Sequence, residues 1–219
     1  MIDVIFSAVA QAAPKRAVAQ AYGTINALSI AGRRGDGRRW VMFSFYGGGH
    51  GGSVESDGLN HGNAPISTAT IPPLEILEAS YPVLFRQWAL RPDSGGAGAQ
   101  RGGLGAVYEI ELLETQAEAF IFGERGRFAP KGIAGGGEAA LNRFSYSNDR
   151  VWREPPMASK MVGVKLKQGD RVRLETPGGG GYGEASKRDP ARVAHDVAEG
   201  YFTAEVADRA FGTAWRGQE

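Results

Sequence analysis

Glycine constrains this chain more than any other residue type, because its 33 glycines in 219 residues are gathered into loops between strand-like runs. That is roughly twice the usual ~7 percent. The densest stretch is Arg91 to Gly105, RPDSGGAGAQRGGLG, whose six glycines leave Asp93, Ser94, Gln100 and Arg101 as its polar side chains after the first residue. Backbone without Cβ atoms can approach a ligand or another chain closely. Two further loops share the style, Gly47 to Asn63 (GGGHGGSVESDGLNHGN) and Thr176 to Gly183 (TPGGGGYG). Together they suggest a common surface of tight turns and exposed amides.

Such a fold still needs a core. The 42 percent hydrophobic and 10 percent aromatic content exclude a disordered linker, and the length suits a single domain over residues 1–219. With 25 basic and 24 acidic residues the net charge is +1, so no global field draws the chain to nucleic acid or a membrane surface. The cluster GRRGDGRR at Gly32 to Arg39 reads first as an exposed hairpin turn, and second as an anion or subunit contact. The absence of cysteine excludes disulfides and thiolate chemistry and fits a cytoplasmic location. No apolar run is long enough to span a bilayer, and the opening MIDVIFSAVAQAAPKR lacks the basic start of a signal peptide.

Periodicity predicts helices at both ends, over 1–22 and 189–211, with antiparallel strands between them. Ile2, Ile5, Phe6, Val9 and Ala13 form one helical stripe, and Pro14 is placed to open a second helix ending before Gly23. Thr24–Ile30 and Arg39–Tyr46 alternate as a hairpin, and Val83–Leu90 follows a short helix opened by Pro72 and Pro73. Leu104–Glu114 with Ala117–Gly123 is expected to pair, and Val162–Leu166 with Arg171–Glu175 reads as the clearest hairpin. Glu124 to Gly137 is a long irregular connection. Asp189 caps a helix stopped by Gly200, and Thr203 starts the last one. The predicted class is α+β, mainly antiparallel β with glycine-rich loops.

Several constellations could carry chemistry. No G-x-x-x-x-G-K-[ST] is present and the central loop opens a strand, which argues against a self-contained nucleotide site. His50, Asp57 and His61 could hold a divalent cation, although their spacing matches no tight ligand pattern and a hydrogen-bonded turn is the plainer reading. His195 reads as a surface or docking residue. Glu75 and Glu78 share one helical face, as a solvated pair or as an acid and a base. Asp93, Ser94 and Arg101 combine a carboxylate, a hydroxyl and a guanidinium that could orient water and hold an oxyanion, or could simply brace the turn. No histidine neighbours Ser94, so a serine-hydrolase triad is not indicated.

GGGHGGSVESDG at Gly47 to Gly58, PPLEILEASYPVLFRQWALRPDSGGAGAQRGGLG at Pro72 to Gly105, and GDRVRLETPGGGGYGEASKRDPARVAHDVAEGYFTAEVAD at Gly169 to Asp208 resemble the C-terminal portion of the hydantoinase B, oxoprolinase and acetone carboxylase α-subunit family. The resemblance implies an ATP-dependent complex in which an actin-like A-type subunit phosphorylates a substrate carbonyl. The B-type subunit then completes cyclic amide hydrolysis or, in the carboxylase branch, ketone carboxylation of the small-molecule substrate. It implies that ATP and a divalent metal are held elsewhere in the complex and that this chain alone binds no cofactor. It also implies that the histidine- and aspartate-rich N-terminal half of the B-type subunit is a partner, the chain being a fragment or a naturally split subunit, inactive alone. Asp57, Asp93, Ser94 and Arg101, supported by Glu75 and Glu78, are then expected near the substrate channel or the A-subunit interface. The rival expectations are a non-catalytic assembly module and a small metal-dependent enzyme.

Overall fold

The computed structural model describes residues 2–63 and 72–217. Its elements are α1 (Ile2–Ala12), β1 (Asn26–Arg33), β2 (Arg39–Tyr46), α2 (Leu74–Ser80), β3 (Val83–Leu90), β4 (Ala106–Leu112), β5 (Gln116–Phe122), β6 (Arg143–Asn148), β7 (Val151–Arg153), β8 (Lys160–Lys167), β9 (Arg171–Glu175), α3 (Pro190–Ala198) and α4 (Ala204–Phe211). The class is α+β, as expected. Two antiparallel sheets, in the orders β2-β1-β5-β8 and β3-β4-β9-β6-β7, bury their inner faces in one shared cluster. Alternation decides which side chains go in: in β2, Trp40, Met42, Ser44 and Tyr46 are buried while Arg39, Val41, Phe43 and Phe45 face out. Leu28, Ile30, Ile121 and Leu166 from one sheet meet Tyr108, Ile110, Phe144 and Leu174 from the other.

The first hairpin is as read, with β1 and β2 in register from Asn26 opposite Tyr46 to Arg33 opposite Arg39. Two other expected pairings are corrected. β4 does not pair with β5, and β8 does not pair with β9, because each connection carries the chain from one sheet to the other. β4–β5 and β8–β9 instead lie side by side as a bent antiparallel ribbon. Glu111 faces Arg171 in one sheet and Gln116 faces Lys167 in the other. At the bend the Gly169 amide donates to the Leu112 carbonyl (2.8 Å) and the Leu112 amide to the Asp170 carbonyl (2.9 Å). Sheet-switching corners of this kind join the two sheets of a sandwich.

The expected second helix after Pro14 is a single 3-10 turn, Pro14–Arg16. Beyond it Ala17, Ala19 and Ala21 are buried at alternate positions, the period of an extended chain, and their segment hydrogen-bonds to the glycine loops. α1 buries no residue fully and leaves Val4, Ile5 and Val9 exposed. At the other end α3 is capped by the Asp189 carboxylate and α4 by the Thr203 hydroxyl, with Gly200 in the left-handed region (φ 72°) between them. Val193, Phe202 and Ala207 form a small second core there. Among the described residues no helix is long and apolar enough to cross a membrane.

Candidate functional site

The three glycine loops converge, but not as a surface of free amides. They pass through one another and bond backbone to backbone. The Gly49 amide donates to the Pro177 carbonyl (3.0 Å), Gly52 to Gly180 (2.9 Å), Gly103 to His50 (2.8 Å) and Gly179 to Gly103 (2.9 Å). A Cβ on Gly102 would overlap the carbonyl oxygen of Gly179, and one on Gly49 would overlap that of Gly103. Glycine is required at these points because two main chains occupy the space of one side chain. Many of the expected exposed amides are therefore spent on backbone carbonyls of these and neighbouring loops, which satisfies groups that burial would otherwise strand.

A buried ion cluster closes this knot against the C-terminal helices. Arg188 holds Asp57 through both terminal guanidinium nitrogens (2.8 and 2.9 Å) and Asp196 through Nε and Nη2 (3.1 and 2.6 Å). Arg101 donates from Nε to Asp196 (3.1 Å) and from Nη1 to Asn60 (2.9 Å), its amide donates to Asp57 (2.8 Å), and its guanidinium lies 4.7 Å from the centre of the Tyr201 ring. Arg192 adds a third cation at 2.7 Å from Asp57. The side chains of Arg188 and Asp196 are only 1 and 3 percent exposed. Burial alone would raise the pKa of Asp57. The hydrogen bonds and charge of Arg188, with Arg101 and Arg192, outweigh burial and hold that carboxyl below its ordinary value. Burial works against the charge of Arg188 too, and its two aspartates reverse that effect and raise its pKa.

The structure thus brings Asp57 and Arg101 together and separates the other expected site residues. Ser94, fully buried, donates to the Arg91 carbonyl (2.6 Å) and accepts from the Gly105 amide (2.9 Å), closing the mouth of its loop. Asp93 adopts φ 60° and accepts from the Thr203 amide (2.8 Å), joining that loop to the start of α4. Glu78 accepts from the Phe85 amide (2.7 Å), while Glu75 is exposed. His195 is exposed, as read. His50 bonds to the Asn63 carbonyl (2.5 Å), and His61 bonds to the Tyr108 hydroxyl beside Trp88. Burial lowers the pKa of His61.

A divalent cation does not fit His50, Asp57 and His61. Both oxygens of Asp57 are already held by arginine, and among the described residues no three His, Cys, Asp or Glu side chains form a possible ligand group. Sequence reasoning missed Arg188 and Asp196. The readable signal was a carboxylate three residues after Val193 on the inward face of a short amphipathic helix, where an ionised group needs a partner.

The profile of the hydantoinase B/oxoprolinase family matches residues 1–185. The chain belongs to this family. An uncharacterised protein of Methanocaldococcus jannaschii is 32 percent identical over 197 residues, covering 90 percent of this chain and 33 percent of that protein. Caprolactamase subunit beta of Pseudomonas jessenii is 31 percent identical over 222 residues, covering 97 and 38 percent respectively. The crystal structure of the ATP-dependent caprolactamase from Pseudomonas jessenii superposes with a TM-score of 0.81 at 28 percent identity, covering 94 percent of this chain and 37 percent of the matched one. This chain therefore spans about a third of the length of the curated relatives it matches. The family match stops just before Arg188, so the ion cluster joins the matched core to the helices beyond it.

Proposed function

We propose that this chain is the C-terminal module of a hydantoinase B-type subunit, working in an ATP-dependent complex with an actin-like A-type subunit and the N-terminal half of the B-type subunit. The complex acts on an activated carbonyl of a small molecule, by opening a cyclic amide or, in the carboxylase branch, by carboxylating a ketone. ATP and any divalent metal are held elsewhere in the complex, and the chain has no turnover by itself. The family match over residues 1–185, in a chain a third the length of its relatives, carries this reading.

Within that assembly the module acts chiefly as a scaffold. Asp57, Arg101, Asp93 and Ser94 each have internal partners, which leaves little of their hydrogen-bonding capacity for a substrate. The rival assignment has Arg101 stabilising developing negative charge while a carboxylate orients water. Arg101→Ala in the reconstituted complex separates the two. The scaffold reading expects weaker assembly with turnover per assembled complex within about twofold of wild type, as for a residue that touches no transition state. A fall of about a hundredfold per assembled complex, the size expected for a lost oxyanion donor, would assign Arg101 to catalysis.

A further inference from the structure

The outer face of the four-stranded sheet is built to be covered. Outward-facing residues of β1 are small: Ala27 lies between Phe45 and Phe122, Ser29 between Phe43 and Phe120, and Ala31 between Val41 and Glu118. Aromatic walls on β2 and β5 thus flank a trough floored by alanine and serine. Phe43 and Phe122 are 55 and 57 percent exposed, and Phe43 packs edge-to-face on Phe45 at 4.9 Å without either being buried. An exposed apolar patch of this continuity marks an interaction site in a soluble domain.

The trough is not uniform along its length. At one end Gly123, which follows Phe122, and Lys160, which lies opposite Phe122, line a groove of about 1120 Å³ between α1 and the sandwich, where Val4, Phe128 and Met157 stand beside charges of both signs. The other end is cationic on balance: Arg33 lies opposite Arg39, and Lys165 lies opposite Glu118, while Lys167 is drawn to Asp149 of the other sheet. An aromatic trough with a basic end matches an amphipathic helix whose apolar ridge fills the trough and whose acidic residues meet Arg33, Arg39 and Lys165.

The sheet face alone, about 24 by 19 Å from strand geometry, is small beside the ~800 Å² per partner of a standard interface. A stable homodimer through this face alone is therefore disfavoured, and a second copy would bring to it the same excess of arginine and lysine over Glu118. An occupant that also enters the groove covers more. We propose that this trough and groove receive an amphipathic, acidic-flanked helix from the remaining part of the B-type subunit. This rests on the functional reading above, and on the chain matching only 33 to 38 percent of the length of relatives that carry such a remainder.

The test expresses the tagged chain in its native cells and measures, by mass spectrometry, how much B-type polypeptide lacking this segment is recovered with it. The comparison is with Phe43→Glu/Phe122→Glu and with Val151→Glu, whose site is exposed on the opposite sheet. The expected result is stoichiometric recovery with wild type and Val151→Glu and at least a tenfold loss with the double variant, all three melting alike. Equal recovery with the double variant would overturn the assignment of this face and leave the functional reading standing. No B-type polypeptide with wild type would overturn both. For the purified chain, a dimer in sedimentation velocity that the double variant abolishes would assign the face to a second copy. Binding to phosphatidylserine vesicles lost in the same variant would assign it to a membrane, and either result overturns the proposal.

Discussion

At the scale of single residues, two kinds of position carry this structure. One is the glycine at which two main chains meet. Gly102→Ala places a methyl group on the Gly179 carbonyl and is expected to prevent folding or lower the melting temperature by more than about 10 °C, as several kcal/mol would in a domain of this size. Gly35→Ala, in a turn with open space around it, is expected to be neutral or to stabilise by less than about 1 kcal/mol. Circular dichroism melts of the pair separate close approach from glycine content as such.

The other is the buried ion. Asp57 has a folded pKa held below its ordinary value, so its contribution is present above the unfolded carboxylate pKa of about 3.9 and is lost as pH falls through the lower folded value. Asp57→Asn is therefore expected to be less stable than wild type near neutrality and to lose less on acidification below about pH 4. Denaturant midpoints measured from pH 6 downward check the sign. A variant whose stability falls as steeply as wild type would remove Asp57 from the acid-sensitive group.

At the scale of elements, the sandwich depends on its corners. Gly169 occupies the left-handed region (φ 85°) where β8 turns into β9, with nothing near its missing Cβ. Gly169→Ala is expected to cost about 1–2 kcal/mol, from backbone conformation alone, read as a lower urea midpoint with an unchanged slope. The same corner explains why local pattern misassigned the strand pairs. A polar Gln-Gly-Asp between two alternating runs is compatible with a hairpin in one sheet and with a bend between two sheets. What separates them is the hydrogen bonding of Gly169 and Leu112 with residues distant in sequence, which no local window contains. The segment after Pro14 failed for a related reason: alanines permit a helix, but the adjacent glycine loops leave room for a bare strand of backbone and supply its hydrogen bonds.

At the scale of the whole molecule, the ion cluster is the joint between the sandwich with its glycine loops and the two C-terminal helices. Removing one partner from a buried pair leaves its counter-charge stranded, at a cost of about 3–5 kcal/mol. Arg188→Ala leaves Asp196 with Arg101 alone and Asp57 with Arg192 and the Arg101 amide, and the small core of Val193, Phe202 and Ala207 has little burial with which to offset the lost pairing. The expected outcome is local release: hydrogen exchange in α3 and α4 accelerates at least a hundredfold while β1, β4 and β5 stay protected. Uniform acceleration across both sheets would show that the helices and the sandwich unfold as one unit.

The sequence by itself determined the local events. Proline and capping residues placed α2, α3 and α4, alternation placed most of the strands, and the ordered glycine motifs carried the family, because each of these depends on a few neighbouring residues. It also singled out Asp57 and Arg101, since charged side chains among glycines are conspicuous. The tertiary structure alone decided which strands share a sheet, that many of the glycine amides are taken by backbone carbonyls of the converging loops, and that Asp57 and Arg101 are held by Arg188 and Asp196. Those outcomes depend on segments up to 131 residues apart meeting in a space that admits only one arrangement of backbone and charge, and that information is a distance, not a pattern.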